Sequence, residues 1–317
     1  MNKKAAIIAG VAIIGLVGAF ALGGNKKKSQ DTALEANASM KIVHSLGETD
    51  VVKNPKKVVV FDYSVLDTMD ALGIENVVGL PKATLPESLE KYKDKKYADL
   101  GALKEPDLEG IKSQNPDLII IGGRQADFYD QLSEIAPTIS VNKDNKDYLG
   151  SVKKNIDTVA KIFGVEEKAK EEFAKAEKKI EELNKKVKEQ DINALTVMVN
   201  EGNLSVYGEE SRFGILYQSF GFKSKDQNID DSTHGQNVTF EYLAKQNPQV
   251  MFVLDRGVAI GKSESAKSTL NNDMVKSMDA FKNDKIIYLD GTTWYLNDGG
   301  LNSLNTMIDD AMKAVNK

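Results

Sequence analysis

Arginine is scarce in this sequence, and two of its three arginines end matching segments of chain. Only three of the 42 Lys and Arg residues are arginines, namely Arg124, Arg212 and Arg256. The segments DLEGIKSQNPDLIIIGGR and TFEYLAKQNPQVMFVLDR end at Arg124 and Arg256. A guanidinium group has a permanent charge and a planar fork of donors that suits carboxylate or catecholate oxygens. We therefore expect the arginines to bind an anionic ligand; the alternative is that they form structural salt bridges.

Four other side chains are candidates for the same ligand site. His234 lies in the polar loop DDSTHGQNVTFEY and can donate a hydrogen bond or coordinate a metal. Trp294 and Tyr295, in LDGTTWYLNDGG, offer an apolar π surface and a phenol oxygen. The alternative for both aromatic residues is a packing cluster between lobes. Tyr63 follows the apolar run VVVF and is expected at the same edge of its sheet.

Composition excludes several other kinds of site. The formal net charge of −5 and the absence of a basic face argue against a nucleic-acid partner. The chain has no Cys, which excludes disulfides, thiolate zinc sites and cysteine nucleophiles, and its two His leave little for a multi-histidine metal site. No nucleophile elbow, phosphate-binding loop, dinucleotide fingerprint or His-Glu-x-x-His motif is present. We therefore expect a binding protein without a catalytic residue or intrinsic cofactor.

The elements that must position these residues form two lobes. Each matching segment reads as a helix, a turn, a buried strand and an arginine, and two copies at domain-sized spacing predict two lobes of similar α/β architecture. The expected lobes are residues 40–164 and 191–317, joined by a helix over 165–190. A helix of about 24 residues within this range spans roughly 36 Å, which suits a rigid strut. The alternative is an ordinary amphipathic helix packed on one lobe.

Within the lobes, strands alternate with helices, which predicts a parallel sheet. The segments MKIVHSL, KKVVVF, DLIIIGG, ALTVMVN, NLSVYG and KIIYLD read as strands. Helices are expected over VLDTMDALGI, from Ala126 to about Ile135, over FGILYQSFGF and from about Leu301. The arginines themselves are expected in loops, just past the carboxyl ends of strands.

The N-terminus carries an export signal. Two lysines, Lys3 and Lys4, precede an apolar run from Ala5 to Leu22, and Ala19-Phe20-Ala21 fits small-x-small cleavage. The run is also long enough to cross a bilayer, so residues 1–22 are either a cleaved signal peptide or an uncleaved membrane anchor. Residues 23–39 read as a flexible linker. The folded part is therefore expected to work outside the cytoplasm.

Taken together, the motifs resemble the iron-siderophore substrate-binding proteins of ABC importers. The segments KVVVFDYSVLDTMDALGI, NPDLIIIGGRQ, YGEESRFGILYQSFGF, STHG, NPQVMFVLDR and WYLNDGGLNSLNTMI are similar to those of the petrobactin and catecholate binders of Gram-positive bacteria. The resemblance covers nearly everything after Met40. It implies two Rossmann-like lobes bridged by one long, rigid helix, a ferric siderophore as ligand, an ABC permease as partner and a monomeric chain.

The resemblance also implies roles for the candidate residues. In that subgroup three arginines surround the iron-catecholate centre, and a His and a Tyr complete the coordination of iron when the siderophore leaves sites open. The matching residues here are Arg124, Arg212, Arg256, His234 and Tyr295. Gram-positive members are usually lipoproteins, but this chain has no Cys to lipidate. A haem or cobalamin receptor of the same fold and a metal-chelatase-like enzyme remain as alternatives.

Overall fold

The computed structural model describes residues 39–230, 232–263 and 266–316. Its two larger sheets, one in each lobe, pack against helices. The predicted export segment 1–22 and all but the last residue of the predicted linker 23–39 lie outside this range. Within it, no helix is both long enough and apolar enough to cross a membrane.

The first sheet belongs to the N-terminal lobe and is parallel throughout, as the alternation predicts. Its strand order is β5-β4-β3-β8-β9, and β3 and β8 are buried on both faces. The strands of this lobe are β1 (Ser39–His44), β2 (Gly47–Val52), β3 (Val58–Val60), β4 (Val77–Leu80), β5 (Ala98–Asp99), β6 (Gly101–Ala102), β7 (Glu105–Pro106), β8 (Leu118–Ile121) and β9 (Thr138–Ser140). Strands β1 and β2 pair only with each other, as an antiparallel hairpin, and β6 pairs with β7 in the same way.

The helices of the N-terminal lobe are α1 (Tyr63–Leu72), α2 (Leu108–Gln114), α3 (Tyr129–Ser133) and α4 (Tyr148–Phe163). Residues before α3 form a 3₁₀ turn, Gly123–Phe128, so the predicted helix from Ala126 is shorter than expected. Helix α4 ends at Gly164, whose left-handed φ of 69° turns the chain into α5 (Glu166–Glu189). Helix α5 buries one apolar face at three- and four-residue spacing and packs against α4.

The C-terminal lobe contains the second sheet, with strand order β13-β11-β10-β14-β15. Its strands are β10 (Asn193–Asn200), β11 (Asn203–Tyr207), β12 (Lys223–Ser224), β13 (Gln236–Val238), β14 (Val250–Asp255) and β15 (Ile286–Tyr288). Its helices are α6 (Ile215–Gln218), α7 (Phe240–Gln246), α8 (Arg256–Ala259), α9 (Ala266–Thr269), α10 (Asp273–Lys276), α11 (Asp279–Lys282), α12 (Gly291–Leu296) and α13 (Leu301–Asn316). The last helix, α13, packs against α1, α5 and β15.

Two expectations for this lobe were wrong. The sheet is mixed, because β11 and β13 run antiparallel to their neighbours. The reversal follows from a two-residue turn at Glu201 and Gly202, whose φ values of 49° and 84° match the turns that join antiparallel strands. The predicted helix over FGILYQSFGF is a single turn, since Gly221 takes a φ of 89° and redirects the chain.

The repeated segments have the same local structure in both lobes, as predicted. Helices α2 and α7 both end at an asparagine in the left-handed region, Asn115 with φ 49° and Asn247 with φ 43°. A proline follows each asparagine and prevents the helix from continuing. The chain then enters the buried strands β8 and β14, each of which ends just before an arginine.

Candidate functional site

A cavity of about 1010 Å³ brings together the charged residues singled out from the sequence. All three arginines line it, together with His234 and Tyr295. The lobes are linked at the cavity, because Arg124 of the N-terminal lobe donates to the Tyr295 carbonyl of α12. Side chains that are far apart in the sequence therefore face one space.

Arg124 and Arg256 occupy equivalent positions at the ends of central strands. Arg124 lies in the 3₁₀ turn after β8, and Gln125 fixes that turn by accepting the N–H of Gly122 at 3.0 Å. Arg256 is the first residue of α8, directly after β14. The expectation that both arginines lie in loops was wrong in detail, because each belongs to a short helical turn. Their place at the carboxyl edge of a sheet is the one at which α/β folds bind ligands.

Arg212 lies in the turn after β11 and is partly buried. Its Nη2 donates to the carbonyls of Trp294 at 3.3 Å and Tyr295 at 3.0 Å. Arg124 donates to the same Tyr295 carbonyl at 2.8 Å, so the two guanidinium groups are neighbours. The backbone of α12 thus holds one arginine from each lobe side by side.

The positive charge at Arg212 is balanced by a buried carboxylate that the sequence reading missed. Asp298 is 3% exposed, and its Oδ1 lies 3.5 Å from Arg212 Nη2. Its Oδ2 lies 3.3 Å from Lys143 Nζ and accepts the hydroxyl of Tyr148 at 3.0 Å. Burial alone would raise the pKa of Asp298, but the nearby charges of Lys143, Arg212 and Arg124 hold it below its ordinary value. Asp298 is therefore an ionised link between the two lobes.

Tyr295 lies among the arginines and is tuned by them. Its hydroxyl accepts from Arg256 Nε at 3.0 Å, and its ring lies 4.6 Å from Arg212 Cζ. Burial raises the pKa of its phenol, but the hydrogen bond from Arg256 and the charges of all three arginines outweigh this and lower it below its ordinary value. A phenol that ionises more readily than usual is suited to ligate a ferric ion, because that hard cation prefers anionic oxygen.

His234 lies in the loop before β13, is exposed and lines the same cavity. The next residue, Gly235, has a φ of 74°, and a Cβ there would lie 2.7 Å from the ring of Tyr207. Only glycine therefore allows the loop to lie against Tyr207 with His234 at the cavity. In the part of the chain that the structure describes, no three His, Asp or Glu side chains are grouped to hold a metal ion.

Two predicted ligand contacts are contradicted by the structure. The Trp294 side chain is 1% exposed, and its indole N–H donates to Asp310 at 2.9 Å in the core. Tyr63 is also 1% exposed, its hydroxyl donates to the Pro81 carbonyl at 2.9 Å, and burial raises its pKa to about 12. Neither side chain lines the cavity. Both side chains therefore belong to the core beside the site and not to the lining of the cavity.

The cavity also contains residues that the sequence reading did not single out. Lys104, exposed in the turn between β6 and β7, adds a fourth cation on the side of the N-terminal lobe. Asn200, at the end of β10, accepts from Arg256 Nη1 at 2.9 Å. Nothing in the sequence distinguishes Lys104 from the many other lysines. Asn200 could have been noticed in the sequence, because it is a polar residue at the end of the apolar strand β10.

Comparisons with known proteins agree on the kind of protein to which this chain is similar. The family model described as "Periplasmic binding protein" matches residues 58–293. The petrobactin-binding protein YclQ of Bacillus subtilis is 43% identical over 320 residues, covering 100% of both chains. The ferric-anguibactin-binding protein FatB of Vibrio anguillarum is 32% identical over 278 residues and covers 86% of each chain.

Solved structures give the same result. The crystal structure of YclQ matches with a TM-score of 0.87 at 46% identity, over 88% of this chain and 99% of that one. The iron uptake ABC transporter substrate-binding protein PiuA of Streptococcus pneumoniae matches with a TM-score of 0.84 at 42% identity, over 87% and 98%. The two-lobed α/β architecture with one long helix is thereby confirmed.

Proposed function

Since this chain belongs to the periplasmic binding protein family, we propose that it is the substrate-binding component of an ABC importer and captures a ferric siderophore. The ligand is a catecholate of the petrobactin type, and the partner is a permease in the cell membrane. The protein acts as a monomer, with lobes at 40–164 and 191–317 and the helix 165–190 between them. It works outside the cytoplasm. Residues 1–22 either direct its export as a cleaved signal peptide or hold it at the membrane as an uncleaved anchor.

One observation carries this proposal, namely that three arginines from three separate segments line one cavity. Arg124 and Arg256 donate to neutral acceptors. Arg212 donates to two carbonyls and also lies 3.5 Å from the carboxylate of Asp298. Among the charged side chains that line the cavity, Lys104 and the three arginines are positive and Glu241 is negative, so the cavity retains net positive charge. A ferric catecholate has delocalised negative charge on its oxygens, which guanidinium donors can bind without displacing them from the metal.

Tyr295 and His234 give the site a second means of binding iron. Both line the cavity, and the lowered pKa of the Tyr295 phenol makes its proton easier to lose when the oxygen binds a cation. These two residues coordinate iron only when the siderophore leaves sites open. A siderophore that fills all six sites is bound by the arginines alone.

The first experiment is a titration of the full-length protein, purified in detergent, with four ligands. Trp294 is the only tryptophan and its carbonyl accepts from Arg212, so its fluorescence reports on ligands in the adjacent cavity. Ferric catecholate, ferric hydroxamate, ferric citrate and haem are compared. Nanomolar quenching by ferric catecholate alone is expected. A Soret shift with haem would favour the haem receptor, and no response to any of the four would refute the proposal.

A further inference from the structure

Arg256 is held between two uncharged oxygen acceptors. Its Nη1 donates to Asn200 Oδ1 at 2.9 Å, and its Nε donates to the Tyr295 hydroxyl at 3.0 Å. These two bonds use different edges of the guanidinium fork and so fix both its position and its plane. Arg256 is partly buried, which limits competition from water.

The register of the second sheet places Asn200 beside Arg256. Strands β10 and β14 pair in parallel, with Val199 opposite Asp255. The next residues along the chain are Asn200, the last residue of β10, and Arg256, the first residue of α8, so the two side chains emerge together at the carboxyl edge. Glu201 follows Asn200 but takes a φ of 49° at the turn and pairs with Lys262 at 2.7 Å. The register thus places the amide of Asn200 beside Arg256, whereas the carboxylate of Glu201 pairs with Lys262.

The amide differs from a carboxylate in one property that matters to an anion site. A carboxylate at this distance would also hold the guanidinium, but it would cancel much of its charge. Arg212 shows that arrangement, because Asp298 lies behind it. Asn200 provides the same acceptor geometry without the negative charge. Arg256 therefore keeps its positive charge and its remaining N–H donors for an anionic ligand while it is held in place.

We propose that Asn200 is a positioning residue, which fixes the guanidinium of Arg256 and, through it, the hydroxyl of Tyr295, without neutralising the cavity. Its effect on affinity rests on the proposed siderophore-binding function. Its effect on the position of Arg256 does not.

Two substitutions separate position from charge. Asn200→Ala removes the acceptor and keeps neutrality, whereas Asn200→Asp keeps the acceptor and the size but adds a negative charge. We expect Asn200→Ala to raise the Kd for ferric catecholate about tenfold, which corresponds to about 1.4 kcal/mol. Asn200→Asp should raise it further, because the new carboxylate repels the ligand. In an Arg256→Ala background, Asn200→Ala should change the Kd less than about twofold, because its partner is already absent.

A crystal structure of the ligand-free Asn200→Ala protein tests the positioning without any siderophore. Arg256 is expected to leave its present place, whereas Asn237→Ala, which removes a cavity asparagine bonded to Ser205, should leave Arg256 unmoved. If the wild-type protein bound no siderophore, this result would still decide the role of Asn200. An unmoved Arg256 with an unchanged Kd would overturn the proposal, as would an equal loss of affinity with and without Arg256. Should Asn200→Ala fail to fold, Asn200→Leu, which keeps a branched side chain but has no acceptor, provides the same comparison.

Discussion

Replacing Arg124 by alanine gives the cleanest test of the anion site. Arg124 is exposed, and within the described residues its side chain donates one hydrogen bond, from Nη2 to the Tyr295 carbonyl. Its removal leaves the buried Asp298 still paired with Arg212 and Lys143. By contrast, Arg212→Ala would take one of these two cations from Asp298. A lost charge-assisted hydrogen bond costs about 1.5–3 kcal/mol, and exposure places Arg124 at the lower end of this range. We therefore expect the Kd for ferric catecholate to rise about 10- to 30-fold.

The assay is fluorescence titration at two salt concentrations with two companion variants. Arg124→Lys keeps the charge but loses the planar fork, and it should recover only part of the affinity. Lys185→Ala changes the net charge by the same amount on α5, outside the cavity, and should bind like the wild type. High salt should reduce the difference between Arg124→Ala and the wild type, because an exposed charge is screened.

Two results would refute this reasoning. An unchanged Kd in Arg124→Ala would show that the N-terminal arginine does not bind the ligand. An equal loss of affinity in Lys185→Ala would show that only the net charge of the protein matters.

Three further substitutions test how the site is held. Asp298→Asn removes the buried counter-charge of Arg212 and should lower the free energy of unfolding by about 1–3 kcal/mol, less than for a fully buried pair because Arg212 is partly exposed. Asp67 should reduce the free energy of unfolding of the wild type by about 3 kcal/mol as the pH rises from about 4 to about 6, and Asp67→Asn should abolish this contribution. Burial raises the pKa of Asp67 to about 6, so the unfolded chain releases its proton first and stability falls as the pH rises. Gly299→Ala should cost more than about 1 kcal/mol, because φ is 84° and a Cβ would lie 2.8 Å from a methyl group of α4.

Urea unfolding, monitored by Trp294 fluorescence, measures the free energy of unfolding of all three variants. Each variant is compared with a control. Asp157→Asn breaks an exposed pair on α4 and should cost little, so an equal cost for Asp298→Asn would contradict the role of the buried carboxylate. The same dependence of stability on pH from pH 4 to pH 6 in the wild type and in Asp67→Asn would contradict the argument for Asp67. Gly164→Ala has a similar φ of 69° but no atom within 4 Å, so it isolates the backbone strain from the clash at Gly299.

Much of the fold could be predicted because its signals are local. Buried apolar runs such as β8 and β14, and the Asn-Pro pairs that end α2 and α7, act over a few residues. The direction of β11 was missed, since a strand pattern does not show which way its neighbour runs. That direction depends on the turn at Glu201 and Gly202.

The candidate site was predicted in part, for a related reason. An arginine just after a buried strand must emerge at the sheet edge, and Arg124 and Arg256 do so. Trp294 and Tyr295 are consecutive residues of α12, so their side chains point about 100° apart, and the sequence does not say which one faces the core. Packing decided this, with Trp294 bonded to Asp310 and Tyr295 placed among the arginines.

The two-lobed α/β plan and the three arginines could be predicted, because strand length, apolar burial and residue type are properties of short segments. The partners of those arginines are brought together only by folding. Asp298, Lys143 and Asn200 are distant in sequence from the groups they contact, and their roles arise only when strand register and lobe packing bring them within hydrogen-bonding distance. Charge balance within the cavity is therefore a property of the folded chain.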